Sequence, residues 1–338
     1  METIKNRSEI VFLYDIKLNN PNGDPMNGNS PRVDEETGKC LVTDVRLKRT
    51  VRDYLFEKYQ GEGNKDIFIR QIVENGYTKD VKTRSKDFIV ANNSDEKENE
   101  IIQNYIDKKL KSDEKKKHKQ LFLDNAKKNI LSKCIDIRLF GGTLAQDIIE
   151  DKNHRGDSVT FTGPVQFGMG ISLNKVQQKS IAHSFVMASG NEKTAGSQAE
   201  ENIIKYGLFG FHGVINENAA ANTHLSNKDV VELLDGLWNG TKNLLTRSKK
   251  GQMPRMLIKI DYQPGFFIGD LVEKLTLVPN QGVNEEDYSD VTDFTINTDN
   301  LISTLRKHKD KIVDISVSLD DRIKLTTDIS VEEFKSKE

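Results

Sequence analysis

The sequence predicts an α+β protein with a ferredoxin-like or RRM-like core sheet carrying two large insertions. Three observations predict it. Residues 9–18 and 256–262 are apolar runs with the period of sheet strands. Residues 43–59 and 226–247 place apolar side chains at helical spacing. The chain order then reads strand, helix, strand, hairpin, helix, strand, which is compatible with that core and its insertions.

The first strand is EIVFLYDIKL, Glu9–Leu18. Ile10, Phe12, Tyr14, Ile16 and Leu18 alternate with Val11, Leu13, Asp15 and Lys17. Asn19–Arg32, NNPNGDPMNGNSPR, is a loop whose Gly and Pro residues supply turns and whose Asn and Asp residues supply backbone-like hydrogen bonds. Helix Thr43–Tyr59 follows, with Asp44 as its expected N-cap. Leu47, Val51, Tyr54 and Leu55 share one face. Arg46, Lys48, Arg49 and Arg52 are splayed around the rest, with Arg49 nearly opposite the apolar stripe. A strand, an Asn-rich loop and a basic helix suit a polyanion. The same charges also suit a merely solvated face, and the loop a purely structural turn.

Residues 60–135 read as a polar, largely helical insertion rich in Lys, with an amphipathic helix around Leu121, Phe122, Asn125, Asn129 and Ile130. DIRLFGGT, residues 136–143, places Gly141 and Gly142 after a short apolar segment. It is not a phosphate-binding P-loop, because no GK[ST] follows. Residues 159–173 are expected to form one strand. Val165, Phe167, Met169, Ile171 and Leu173 occupy its apolar face; Gln166, Gly168, Gly170 and Ser172 occupy a small, polar one. Small residues on a strand let another backbone approach. On an RRM-like sheet that backbone can be RNA with aromatics stacked on bases, whereas periodicity alone puts Phe167 and Met169 in the core.

Ser180–Ala188 and Ile203–Ile215 form a long hairpin. Helix 226–247 opens on Ser226 and Asp229 as a capping box and buries Val230, Leu233, Leu237 and Trp238. A basic loop, Thr246–Arg255, precedes the last core strand. The acidic C-terminal part adds the strand-like runs KLTLV and KIVDISVSL around a helix near Leu301–His308, and reads as packed.

The 338 residues are 30% charged and 36% hydrophobic, with a net charge of −2. That total hides a split: residues 104–133 carry a net +6 and residues 280–338 a net −6. A near-neutral chain can thus present a basic groove and an acidic back. No apolar run is long enough to span a bilayer, and METIKNRSE lacks the apolar centre of a secretory signal. Cys40 and Cys134 imply a reducing cytoplasm rather than a disulfide scaffold. The six His residues show no zinc-ligand spacing, and neither GxSxG nor HExxH occurs. No metal or cofactor is expected.

Leu13–Leu55 resembles the opening of the backbone subunit of type I CRISPR Cascade, more narrowly the Csd/Csh branch of types I-B and I-C. The resemblance rests on NPNGDP (Asn20–Pro25), on PR-x-D (Pro31–Asp34) and on TDVRLKR (Thr43–Arg49). That family belongs to the repeat-associated RNA-binding superfamily built on an RRM-like fold. The resemblance implies a discontinuous palm core (1–59 and 136–270), a finger-like helical insertion (60–135), a thumb-like hairpin (178–215) and an acidic C-terminal extension (271–338). It implies a non-enzymatic subunit that polymerises along CRISPR RNA and leaves its bases to pair with target DNA. Its partners would be copies of itself in a helical filament, a large subunit, a Cas-five-type subunit and the crRNA-processing endonuclease. Candidate RNA-binding residues are Asn20, Asn22, Asn27 and Arg32 of the loop, Arg46, Lys48, Arg49 and Arg52 of the helix, and Gln166 and Phe167. His183, Phe185 and Met187 lie where the thumb would wedge between bases. Related type III subunits cut target RNA with an acidic residue in a comparable loop. Asp24 is therefore the candidate for a metal-dependent endoribonuclease, against a turn-forming role.

Overall fold

The computed structural model describes residues 2–74, 76–144, 159–184, 198–247 and 249–334. The chain is α+β with a large antiparallel sheet. Strand β1 (Ser8–Asn19) leads into a short hairpin, β2 (Gly23–Asp24) and β3 (Ser30–Val33), then β4 (Lys39–Val42) and helix α1 (Asp44–Tyr59). A second hairpin, β5 (Val73–Glu74) with β6 (Tyr77–Thr78), precedes α2 (Val81–Lys86), α3 (Glu96–Ile106), α4 (Ser112–Lys117), α5 (Lys119–Lys133) and α6 (Ile135–Phe140). Next come β7 (Gly141–Leu144), β8 (Val159–Thr162), β9 (Val165–Phe167), β10 (Gly170–Lys175), β11 (Gln178–Ser184) and β12 (Gln198–Ile215). Helices α7 (Glu217–Thr223) and α8 (Asn227–Lys242) lead to β13 (Met253–Tyr262), β14 (Thr276–Pro279), β15 (Phe294–Asn297), α9 (Asp299–Lys307), β16 (Ile312–Leu319) and α10 (Val331–Phe334).

The chain divides into two compact units. One comprises Lys5–Val51, Gln166–Ile215 and Leu234–Glu338 and holds the main sheet. Its strand order is β16-β13-β1-β12-β10-β4-β3-β2. The central four, β13-β1-β12-β10, are antiparallel neighbours; in the chain α1 separates β1 from β10, and α8 separates β12 from β13. Strand β1 is buried from Ser8 to Ile16, as expected of a centre strand flanked on both sides. One face stacks aromatics: the Tyr14 ring lies 5.7 Å from Phe209 and 5.8 Å from Phe211. On the other face Val11, Leu13, Leu208, Ile258 and Ile260 pack with Leu271, Phe294, Leu301 and Ile315. Burying each such side chain stabilises by about 1.5–3 kcal/mol, which is how the acidic C-terminal part stays packed.

The expected strand over 159–173 is instead three strands. Val165 and Phe167 are buried, but Met169 and Ile171 are exposed, and Gly170, Ser172 and Asn174 are the buried positions after the break. Two consecutive exposed residues, Gly168 and Met169, reverse the alternation. The reversal is held by side chains acting as backbone partners. Ser172 Oγ accepts from Cys40 N at 2.9 Å, and Asn174 Oδ1 accepts from Leu208 N at 2.9 Å. Gly170 is required because the Phe211 ring fills the space of a side chain there.

The other unit comprises Met1–Ile4, Arg52–Val165 and Asn216–Leu233. Its α5 is amphipathic as read: Phe122, Ala126 and Ile130 are buried, and so are Asn125 and Asn129. The asparagines are accommodated because they bond to the Val90 and Phe88 carbonyls and to Asn92. Ser226 and Asp229 close the expected capping box, Ser226 N donating to Asp229 Oδ2 at 3.1 Å and Asp229 N to Ser226 Oγ at 3.3 Å. Helix α8 ends at Lys242, short of residue 247, and Leu245 is exposed beyond it. Trp238 is only half-buried, with Lys242 Nζ 5.3 Å from its ring centroid, so it is not the core residue the periodicity indicated. Among the described residues no helix is long and apolar enough to cross a membrane.

Candidate nucleic-acid interface

The loop after β1 is tied down by its own asparagines. Asn19 Nδ2 donates to Lys250 O at 2.9 Å. Asn20 is buried and its Nδ2 donates to Asn29 O at 2.7 Å and Asn202 O at 3.0 Å. Asn202 Nδ2 returns a bond to Ser30 Oγ at 3.1 Å. Asn22 Oδ1 accepts from Thr43 N at 3.0 Å and Thr43 Oγ1 at 2.9 Å. Thr43 Oγ1 in turn accepts from Arg46 N. Thr43, steadied by Asn22, therefore caps α1. Asp44, the cap expected from sequence, sits in the first turn and pairs with Lys48 at 2.9 Å. The carboxylate still favours the helix N-terminus through the dipole.

Asp24 organises the turn that follows. Its Oδ1 accepts from Met26 N at 3.1 Å, its carbonyl accepts from Asn27 N and Asn29 N, and Arg32 Nη2 lies 3.4 Å from its carboxylate. Asn27 is exposed in this turn, and Met26 stands almost wholly in solvent at its tip. No group of three or more His, Cys, Asp or Glu residues able to hold a metal occurs among the described residues.

The helix cations differ in their surroundings. Arg49 is exposed, Arg46 and Lys48 half-buried. Lys48 Nζ also donates to Gln166 Oε1 at 3.3 Å, which brings two predicted residues together on one surface. Arg52 belongs to the other unit. There its Nε donates to the buried Asp136 at 3.1 Å and its guanidinium lies 5.1 Å from the Phe140 ring centroid. Arg52 is thus tied into the fold through its Nε, unlike the exposed Arg49. Phe167 is buried, its ring in the slot left by the absent side chain of Gly213, which is the core position that periodicity alone indicates. His183 falls in β11 opposite Ala199, with its side chain outside the described residues; Phe185 and Met187 lie outside them altogether.

One cation escaped the residue-level reading. Lys249 Nζ donates to Asn20 O at 2.8 Å and Pro21 O at 3.0 Å. Burial, then the neighbouring Arg46 charge, push its ammonium down to about 8. The sequence signal was the basic run Thr246–Arg255, visible as a loop but without an address. The two thiols are chemically quiet, since burial raises Cys40 to about 12 and raises Cys134 as well. The groups available here are loop amides and hydroxyls, Gln166, which meets Lys48, and the Arg46, Arg49 and Arg32 cations. They can donate hydrogen bonds and neutralise anionic oxygens.

The family model described as CRISPR-associated protein Cas7 matches residues 6–299. A CRISPR-associated protein Cas7 from Haloferax volcanii is 33% identical over 350 residues, spanning 99% of this chain and 93% of its own. Among solved structures, a chain of a CRISPR RNA-guided surveillance complex, pre-nicking, has a similar fold, with a TM-score of 0.52, 13% identity and 96% coverage of both chains.

Proposed function

The chain belongs to the Cas7 family of CRISPR-associated proteins, and from that premise we propose that it is a non-enzymatic backbone subunit that holds guide RNA in a type I surveillance complex. The observation that carries this reading is the convergence of the Asn19–Val33 segment and the first turn of α1 through the Asn22–Thr43 bonds, which ties the asparagine-rich loop to the start of the helix that carries Arg46 and Arg49. The strand order β13-β1-β12-β10 with two helical crossovers supports reading the core as RRM-like. Residues 60–135 would be the fingers and the β11–β12 hairpin the thumb.

Copies add head to tail along one CRISPR RNA, an interface that builds a helical filament if it does not close. Phosphates and sugars are gripped while the bases stay available to target DNA, so sequence discrimination rests on pairing. A large subunit, a Cas-five-type subunit and the crRNA-processing endonuclease complete the complex, in the cytoplasm, in a type I-B or I-C system. Asp24 serves the turn, because its carboxylate is engaged by Met26 N and Arg32. The test is the absorbance ratio of the purified protein before and after RNase, with sequencing of the released RNA. Repeat-derived small RNAs are expected. A nucleic-acid-free single particle, even when offered repeat transcripts and partner subunits, sinks the reading.

A further inference from the structure

The turn at Asn20-Pro21 creates a local shortage of donors. Pro21 has no N–H, and buried carbonyls need partners. Lys249 supplies two of them at 2.8 and 3.0 Å from a loop more than two hundred residues away, while Lys250 O takes the Asn19 amide. Immediately after this turn Asn22 holds Thr43, the cap of the helix that carries Arg46, Lys48 and Arg49. A half-buried ammonium beside Arg46 is an unfavourable place for a charge, and its pKa is pushed down accordingly. Hydrogen bonds to two carbonyls compensate only part of that penalty.

We propose that Lys249 is a positioning residue for the RNA-holding face: by clamping the Asn20 and Pro21 carbonyls it sets Asn22 against Thr43, and so the aim of the α1 cations. This rests on the RNA-binding reading above. A residue acting through the backbone should change affinity without changing the number of phosphates neutralised.

The experiment measures the affinity of the full chain for a short single-stranded oligoribonucleotide across a salt series. The variants are Lys249→Met, Lys249→Gln, Lys249→Arg, Asn22→Ala and the double variant Lys249→Met with Asn22→Ala. Lys249→Met is expected to weaken binding about tenfold and leave the salt slope unchanged, against a drop of about 0.7 for each lost phosphate contact. Lys249→Gln, which can still donate, should fall between. Lys249→Arg should stay within about threefold of the parent. The double variant should be no weaker than the weaker single one, since both changes release the same turn. Parental affinity in Lys249→Met, no rescue by Arg, or a slope reduced by about 0.7 overturns the proposal. Failure of the parent to bind RNA would instead sink the functional reading. Lys249 would then be judged by hydrogen exchange at the Thr43 amide, which Lys249→Met should speed and Lys249→Arg should not. Unchanged exchange overturns the clamp.

Discussion

Asp136 accepts the Arg52 Nε–H at 3.1 Å and takes the amides of Phe68 and Ile69 at 2.8 and 3.0 Å with the same carboxylate. The carboxylate is wholly buried. Removing one member of such a pair leaves the other charged and unmatched, at a cost of about 3–5 kcal/mol. Arg52→Ala is therefore expected to lower the melting midpoint sharply, and Arg52→Lys to recover only part, because a point charge cannot also lie over the Phe140 ring. Thermal or urea unfolding checks this.

Arg49 behaves oppositely. It is exposed on α1, so Arg49→Ala should leave stability within about 0.5 kcal/mol. If it and Arg46 each hold a phosphate, each Ala variant flattens the dependence of log affinity on log salt by about 0.7 and weakens all single-stranded RNAs alike. Sequence-selective loss in a filter-binding series would contradict this.

Phe167→Ala empties a slot shaped by Gly213, and should cost about 3–5 kcal/mol in unfolding measurements. The fraction that remains folded should bind RNA with parental affinity, which separates a core aromatic from a base-stacking one.

For Asp24, the expectation is structural. Complementary RNA offered with magnesium to the assembled complex should stay intact, and Asp24→Ala should cost about 1 kcal/mol of stability through the lost Met26 N and Arg32 contacts. Regular cuts that vanish in Asp24→Ala would restore the nuclease reading.

In the C-terminal part, Asp290 is a partly buried contributor to acid stability. Partial burial opposes the charge on Asp290, but Thr292 N and Oγ1 and the Arg322 guanidinium outweigh it and hold the carboxyl at about 2, below its usual 3.8. A depressed folded-state value adds stability above the unfolded value, and that stability drains away as pH falls from about 4 through 2. Asp290→Asn should be less stable than the parent at pH 6, with the difference closing at pH 2 in a denaturant series.

Much of this architecture is legible from residue order. The alternation of Glu9–Leu18, the Leu47, Val51 and Leu55 stripe and the Ser226–Asp229 box are local patterns, and local patterns survive folding. The strand over 159–173 failed because periodicity presumes one continuous phase, and Gly168–Met169 breaks it for the sake of distant residues Cys40 and Leu208. The α1 cations look alike in sequence. What sets Arg52 apart is partial burial beside a partner 84 positions away, whereas Arg49 is exposed. Lys249 was hidden for the same reason, since its role is defined by two carbonyls at the other end of the chain.

The Gly168–Met169 step also makes β10 unusually intolerant of changes in length. Deleting one residue there would swing Ile171 and Leu173 onto the aromatic side and expel Ser172 and Asn174, stranding the amides of Cys40 and Leu208. Point substitutions along this stretch should be absorbed far more readily than a single-codon deletion, a difference that a deep indel scan would expose at once.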